Sequence, residues 1–599
     1  MIIYHVTPLY NFSTSKEGAQ EFIKMGKAIN SFIIATGLLG CILSTTLTGY
    51  AQPNKDSLSV VPTQKDTLLD QNWYYNLETD FNGHLDNPLK LLQGRLPGLL
   101  ISHPGSDPNR QFDVRLRGFN TLLNNEQPLY IVDGVPDIPF SLVDPRDIAS
   151  IKVAKNASVA QWGLRGARGV IHIHTQPAQA SKPTIRFRSY LAMEQPGRSY
   201  NVLDAINYLL QQEKIFGSYN RPSPENNDWI EIITQTTLST VNSLSISGGT
   251  NALHYRGALN TRNIEEIALN KGYDKLNGRI RLGSTLLNEQ LDLGLNLSRS
   301  SKQSKIGFRE AFQYAISFNP TVPREIDNPQ FGGYYQQPVY DYYNPLAILE
   351  QNQHDGNDRL ASGTFTGTYQ FDSKLKGLSA HLLLSETREE LFRGEFYPAD
   401  SFFRGYDSNG YSRTETDTKT NRMADIHFNW NAPLHESITL NADMGFSAQN
   451  LYYRHVFKEA RNLSAADSYT VIEDKNVTNM GGPQEVDEND HQLTAFWGTT
   501  RISNDTWYLD MGLRYEGSSY LGEENKWGLF PYFQAGFDLD NLLNFSFADS
   551  WLIRGGYGIA GNVPKTTVGL RPSMNHVATT FRMGNIFLPT RKCRVKTQT

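Results

Sequence analysis

The sequence predicts an all-β fold, a transmembrane antiparallel β-barrel behind a small N-terminal α/β unit, and three observations point there. From about residue 183 to about 563, short segments alternate apolar and polar residues. Leu291, Leu293, Leu295 and Leu297 interleave with Asp292, Gly294, Asn296 and Ser298, and the same rhythm runs from Ile438 to Ala448 and from Trp507 to Glu516. Side chains alternate across a strand, so each segment has one greasy and one wet face. The connections are also sorted by length. Short turns near 249–250, 287–288, 373–376, 433–436 and 503–505 alternate with long polar excursions around 195–235, 303–358, 391–420 and 455–490, with two shorter loops among them. Soluble sandwiches rarely sort their connections this way, whereas outer-membrane barrels do. Finally, no segment after residue 51 is apolar enough to cross a bilayer as a helix, and a barrel needs apolar residues only at alternate positions.

Composition narrows the function. A net charge of −5 leaves no basic footprint, so nucleic acid is not an expected partner. The two cysteines, Cys41 and Cys593, build no disulfide framework. No G-x-S-x-G and no reactive-cysteine context is present, and no enzymatic activity, cofactor or metal is expected. His172 and His174 lie two apart on one strand face, but without further ligands at metal spacing they read as core or interface residues. Gly556, Gly558 and Gly561 match G-x-G-x-x-G, yet they sit in a barrel strand followed by Pro564 and not before a helix. The acidic run Glu485, Asp487, Glu488 and Asp490 reads as a solvated loop.

Along the chain, residues 1–51 comprise upstream residues and a signal peptide. Its basic start at Met25 is the expected true initiation site; an apolar run covers 29–47, and Gly49-Tyr50-Ala51 offers a cleavage site. Leu38-Leu39-Gly40-Cys41 is an alternative lipobox. Residues 52–82 form a polar tether with two short apolar patches, Ser59-Val60-Val61 and Asp66-Thr67-Leu68-Leu69, able to add a strand to a partner's sheet edge. Residues 83–178 form the α/β unit. It has a helix and strand over Pro88 to Leu100 and strands around Phe112–Leu116, Leu129–Val132, Asp147–Lys155 and Val170–Thr175, with a short helix at Val159–Gly163.

Within that unit, "LLQGRLPGLLI", "FDVRLRGFNTL", "QPLYIVDGVP" and "DPRDIASIKVAKNASVAQWGLRGARGVIHIHT" resemble, in order and spacing, the plug of SusC/RagA-type TonB-linked outer-membrane transporters. In the barrel, "LRYEGSSYLGEENKWGLFPYFQAGFDL", "SWLIRGGYGIAGN" and "YYNPLAILE" are similar to stretches of the same family. The resemblance implies TonB-dependent import of a nutrient of the oligosaccharide or peptide class, with the plug gating the barrel in a Gram-negative, Bacteroidetes-type outer membrane. The partners it implies are TonB with its inner-membrane motor proteins, a SusD-like surface lipoprotein, a glycan or peptide ligand, and outer-membrane lipid. The tether patches become TonB-box candidates. The alternatives are a non-transporting receptor or adhesin, and an inert truncated product.

By the same resemblance, Arg117, and with less support Arg115 and Arg165, are latch candidates that engage barrel carboxylates; ordinary surface arginines are the competing reading. Tyr334, Tyr335, Tyr340, Tyr342 and Tyr343 crowd one long loop, and Phe396, Tyr397, Phe402, Phe403, Tyr406 and Tyr411 the next. These rings suit a bound ligand, and equally the packing of each loop on itself. The alternation amounts to about thirteen strands, whereas plugged transporters of this size class have 22. The chain is therefore expected to hold part of such a barrel, with an aberrant tail over 564–599, as a truncated or frameshifted product does.

Overall fold

The computed structural model describes residues 87–102, 109, 112–118, 127–197, 201–218, 223–327, 329–337, 342–371, 376–463, 466–473, 484–521, 526–538, 552–562, 580–583 and 586–589. The plug begins with a helical turn, Pro88–Leu91, whose N-terminal amide at Leu89 donates to the Asn87 side chain. Strands β1 (Leu99–Ser102) and β2 (Asp113–Leu116) pair antiparallel. A second sheet has the order β4-β3-β6-β5, built from β3 (Leu129–Val132), β4 (Val135–Pro136), β5 (Ile148–Ala154) and β6 (Val170–Thr175). The β3 to β6 pairing is parallel, and a helical segment, Ala157–Arg168, lies on the path between β5 and β6, bent at Gly163. Leu99, Ile101, Val114, Leu116, Val132, Ile151, Val153, Ile171 and Ile173 close a core that belongs to the plug itself, with Leu360 as its buried barrel member. The expected β3 and β6 coincide with the observed ones, because short apolar runs bounded by turn residues have no alternative register.

A single antiparallel sheet forms the wall. It runs β7 (Ser181–Glu194), β8 (Thr237–Gly249), β9 (His254–Glu265), β10 (Gly272–Leu286), β11 (Leu291–Lys305), β12 (Gln353–Gln370), β13 (Leu378–Tyr397), β14 (Tyr411–His435), β15 (Ile438–Arg461), β16 (Gln484–Ser503), β17 (Trp507–Ser518), β18 (Trp527–Asp538) and β19 (Leu552–Ala560). A short hairpin follows, β20 (Thr580–Met583) and β21 (Ile586–Pro589), in the tail that the sequence left outside the alternation. Each strand pairs with its neighbours in sequence, so the order is linear, and among the described residues β7 and β21 are its edges. Thirteen strands through Ala560 match the expected partial barrel. No described helix is long and apolar enough to cross a membrane.

The pleat sorts side chains as the alternation requires. Phe187, Leu244, Leu297, Leu382, Leu384, Phe428, Trp430 and Leu513 are exposed on the outer face, where lipid must cover them. Tyr515 and Trp527 stack at 4.8 Å on that face, as a girdle pair does.

At the long-loop end the strands overrun the sequence expectation. Strand β13 continues to Tyr397 and β14 starts at Tyr411, so the excursion expected over 391–420 shrinks to 398–410. The acidic run 485–490 likewise lies on β16 and not in a loop. Beyond the bilayer a strand needs no apolar face, so polar residues hide its continuation from hydropathy. Among the described residues, four α-helices decorate these loops, α1 (Ala205–Phe216), α2 (Trp229–Ile232), α3 (Arg309–Ser317) and α4 (Pro345–Gln351). With β13 and the 398–410 loop, α2, α3 and α4 enclose an apolar cap of Trp229, Ile233, Phe308, Phe318, Ile348, Tyr397 and Phe403.

Candidate functional site

One flank of the plug is seated by charge. The β3–β4 turn places Asp133 at φ +50° with Gly134 at +88° behind it, a pairing that Asp-Gly tolerates. Further on, Asp144 caps the turn Pro145–Asp147 by accepting from the Arg146 amide at 3.0 Å. Facing these carboxylates are arginines at alternate, lumen-facing positions of β9 and β10. Arg262 donates through Nε and Nη2 to Asp144 Oδ2 at 3.0 and 2.8 Å, with the two side chains only 2% and 1% exposed. Arg256 stands 3.7 Å from Asp147, which also accepts from Asn260 at 3.3 Å. Arg281 pairs with Asp133, and Arg279 donates to Thr175 Oγ1 at 2.8 Å and lies 3.5 Å from Asp133. Lys275 and Asn277 donate to the plug carbonyls of Ser141 and Leu142 at 2.6 and 2.8 Å.

These neighbours split the two buried aspartates. Burial opposes ionisation of Asp144, but Arg262 and the Arg146 amide outweigh it and hold the carboxyl below its ordinary value. Asp147 is pushed up to about 6, first by burial and then by Asp144, against the opposing pull of Arg279 and Arg256.

The opposite flank is seated by close backbone approach. The Ala157–Arg168 segment lies against β17, β18 and β19. Glu516, fully buried, accepts from the Leu164 amide at 2.7 Å and from Arg514 at 2.7 Å. Gly561 donates to the Gly163 carbonyl at 2.8 Å, and Ala167 donates to the Gly561 carbonyl at 3.2 Å. A side chain on Gly558 would meet the Ala157 carbonyl oxygen at 2.7 Å, and one on Gly163 would meet Glu516 Oε2 at 2.1 Å. The glycine run of β19 is therefore a track for the plug.

Between plug and cap the wall of β12, β13 and β14 forms an open cleft of about 260 Å³, lined by Ile306, His354, Arg393, Glu395, Arg413 and Glu415. Arg393 pairs with Asp358, and Arg413 donates to Glu415 at 2.7 Å. Glu395 accepts from the Tyr397 hydroxyl at 2.9 Å and lies 3.8 Å from His354.

Arg115 pairs with Asp113 of its own strand, and Arg165 with Asp137, also in the plug. Arg117, at φ +60°, has its charged form disfavoured by burial and by Arg554 across the interface. On the β9–β10 flank the aspartates stand on the plug and the arginines on the barrel. Tight plug turns favour short carboxylates, and the planar guanidinium fork of the wall arginines suits buried pairing with them. The signal was present in the sequence, in Arg279 and Arg281 alternating with Ile280 and Leu282 and in the repeated acids of "DPRD".

Of the loop aromatics, Tyr343 and Phe403 lie 5.2 Å apart in the cap, and Phe402 lies 5.6 Å from Tyr343. Tyr334 and Tyr335 pack beside it, the former donating to Glu350 at 2.5 Å, and Tyr342 is exposed. Tyr340, and the patches Ser59-Val60-Val61 and Asp66-Thr67-Leu68-Leu69, lie outside the described residues. His172 packs 5.6 Å from Trp162, and burial, aided by Lys152 and His174, lowers it to about 4, so its ring is neutral.

Residues 82–170 match the family model of the TonB-dependent receptor plug domain. The TonB-dependent receptor SusC of Bacteroides thetaiotaomicron is 25% identical over 556 residues, covering 86% of this chain and 53% of its own length. TonB-dependent receptor P3 of Formosa agariphila is 24% identical over 495 residues, covering 79% and 47%. The chain thus spans about half the length of these relatives. Among solved structures, the RagAB peptide transporter superposes with a TM-score of 0.69 at 18% identity, over 84% of this chain and 64% of that one. The ferric citrate transporter FecA superposes at 0.53 and 11% identity, over 85% and 66%. A plug seated inside an antiparallel wall, together with these likenesses, makes the chain similar to the SusC/RagA-type TonB-dependent receptors, with their plug domain matched over residues 82–170.

Proposed function

We propose that this protein takes part in TonB-dependent import of a nutrient, a glycan or a peptide, with the plug gating passage along the wall. The observation that carries the reading is the buried Arg262–Asp144 pair. Two ions withdrawn from water and held by directional bonds make a seat that stays shut thermally, yet has a discrete arrangement to lose when force is applied. No covalent chemistry is required of the chain. Ligand would enter from the long-loop side, meet the cleft under the cap, and pass once the plug rearranges. The partners in this reading are TonB, engaging one of the two tether patches as an added strand, and a SusD-like lipoprotein over the long loops.

The test is uptake by cells carrying the chromosomal gene, with and without a functional TonB. Import is expected to stop without TonB while ligand binding at the cell surface persists. Equal uptake in both strains would refute the proposal.

A further inference from the structure

We infer that the outer face of β11, β12 and β13 holds the phosphate-bearing headgroup of an outer-leaflet lipid, between Arg299, Arg359 and Arg388 around Ala361. The inference concerns the wall and its membrane, and holds whatever the protein imports. Over the apolar band the outward positions of β11 to β14 are uncharged, ending at Leu297, Gly363, Leu384 and Ala424 in one cross-strand stretch. Towards the long loops they turn charged, at Arg299, Arg359, Glu386 and Arg422. Long loops face the outside in such barrels, so this change marks the headgroup level of the outer leaflet. Tyr452 stands in the same row, opposite Thr420, at the level where interfacial rings sit.

The register builds the site. Ala361 lies opposite Arg299 on one side and Arg388 on the other, and Gly278 flanks Arg299 beyond. Neighbouring strands are about 4.8 Å apart, so the two arginines start about 10 Å from each other across a small side chain. Arg359 follows Ala361 by two positions towards the loops, and all three arginines are exposed. Their long stems can close on one group from three sides.

The carboxylates of this face are committed elsewhere. Glu386 accepts from Arg422 at 3.0 Å, and Glu488 from Arg454 at 2.8 Å. Glu390 stands 3.9 Å from Arg359, an exposed contact too long for a hydrogen bond. Among the described residues, neither Arg299 nor Arg388 has a hydrogen bond or a carboxylate within ion-pair reach. Three guanidiniums therefore face one loosely placed acid, and phosphate oxygens match the guanidinium fork. A free anion would meet the same groups, but a lipid brings its phosphate tethered. Its acyl chains lie on Leu295, Leu297, Phe365 and Leu384, exposed directly beneath the arginines, and hold the headgroup at high local concentration. The paired Arg422 and Arg454 carry no such excess of charge.

The experiment is retention of fluorescent lipid A by the full chain in neutral maltoside micelles, beside the same lipid A stripped of its phosphates. The phosphorylated lipid should be retained at least tenfold over the stripped one. Because both lipids are tested on the unaltered protein, this comparison does not depend on a variant folding. Arg299→Gln/Arg388→Gln should lower retention at least tenfold, whereas Arg454→Gln, on the same face but paired, should change it less than twofold. Inorganic phosphate at 10 mM should leave the lipid in place. Equal retention of the stripped lipid would reduce the site to acyl contact and overturn the inference. So would an equal loss in Arg454→Gln, which means diffuse charge, or displacement by inorganic phosphate, which means a site for free anions.

Discussion

Replacing Arg262 with methionine keeps much of the side-chain volume and deletes the two hydrogen bonds to Asp144. Both groups are essentially removed from solvent, so the aspartate left behind is a buried and under-compensated charge, a situation that costs about 3–5 kcal/mol. The structure places this change towards the lower figure. Asp144 would keep the Arg146 amide at 3.0 Å, and Lys275 lies close enough to influence its ionisation. The reverse change, Asp144→Ala, also removes the cap of the turn at 145–147, about 1 kcal/mol more, and strands Arg262. At about 1.4 kcal/mol per tenfold, Arg262→Met should raise the population of the unseated plug by roughly 10²-fold. Asp144→Ala should raise it by roughly 10³-fold. Amide hydrogen exchange of the 143–148 segment in vesicles reads that population, provided reclosing outpaces exchange. The double variant Arg262→Met/Asp144→Leu should recover most of the protection, because an apolar pair of similar volume carries no desolvation cost. Single variants with unchanged exchange, or a double variant as open as the singles, would refute the view that this pair holds the plug.

Further expectations test other links. Asp147, at about 6 in the seated plug against a usual 3.8, favours seating when protonated. Its contribution is complete below about pH 4 and lost as pH rises through about 6, at most about 3 kcal/mol. Exchange in the plug should therefore quicken from pH 5 to 7, and Asp147→Asn should flatten that dependence; an equal slope in the variant rejects the assignment. Gly163→Ala, at φ +52° and with Glu516 at 2.1 Å from the new carbon, should loosen the β17–β19 flank by about 1–3 kcal/mol, seen as exchange at Leu164 and Ala167. Proline at Val60 or at Leu68 should abolish uptake and spare surface binding wherever the TonB box lies, and uptake indifferent to both rejects these placements. Residues 83–178 expressed alone should melt cooperatively with mixed α/β circular dichroism, since the buried members of their main core cluster are their own but for Leu360; a disordered spectrum counts against an independent plug.

Strand identity was legible wherever one face met lipid. Leu291 to Leu297 and Trp507 to Tyr515 alternate because hydrocarbon outside and water or plug inside impose opposite demands at a period of two, and the strands begin where the pattern does. The plug strands at 129–132 and 170–175 were equally plain from turn residues at their ends. The constraint lapses above the bilayer, so β13, β14 and β16 ran further than hydropathy foretold, and aromatics assigned to one loop proved to end a strand, as Tyr397 does, or to begin one, as Tyr411 does.

The partners of the charges lay beyond the sequence altogether. Arg262 and Asp144 are 118 positions apart, and Leu164 and Glu516 352 apart. Nothing local distinguishes Arg262 from Arg165, which turns inward to Asp137. The glycines of β19 were legible as strand residues and not as a nucleotide motif, but their closeness to the plug backbone at Ala157 and Leu164 was not. The sequence by itself determined which elements form and which face of each is wet, because those follow from period and solvent. Only the tertiary structure decided which wet groups are buried against one another, because burial and pairing are properties of two surfaces and neither strand carries the other's register.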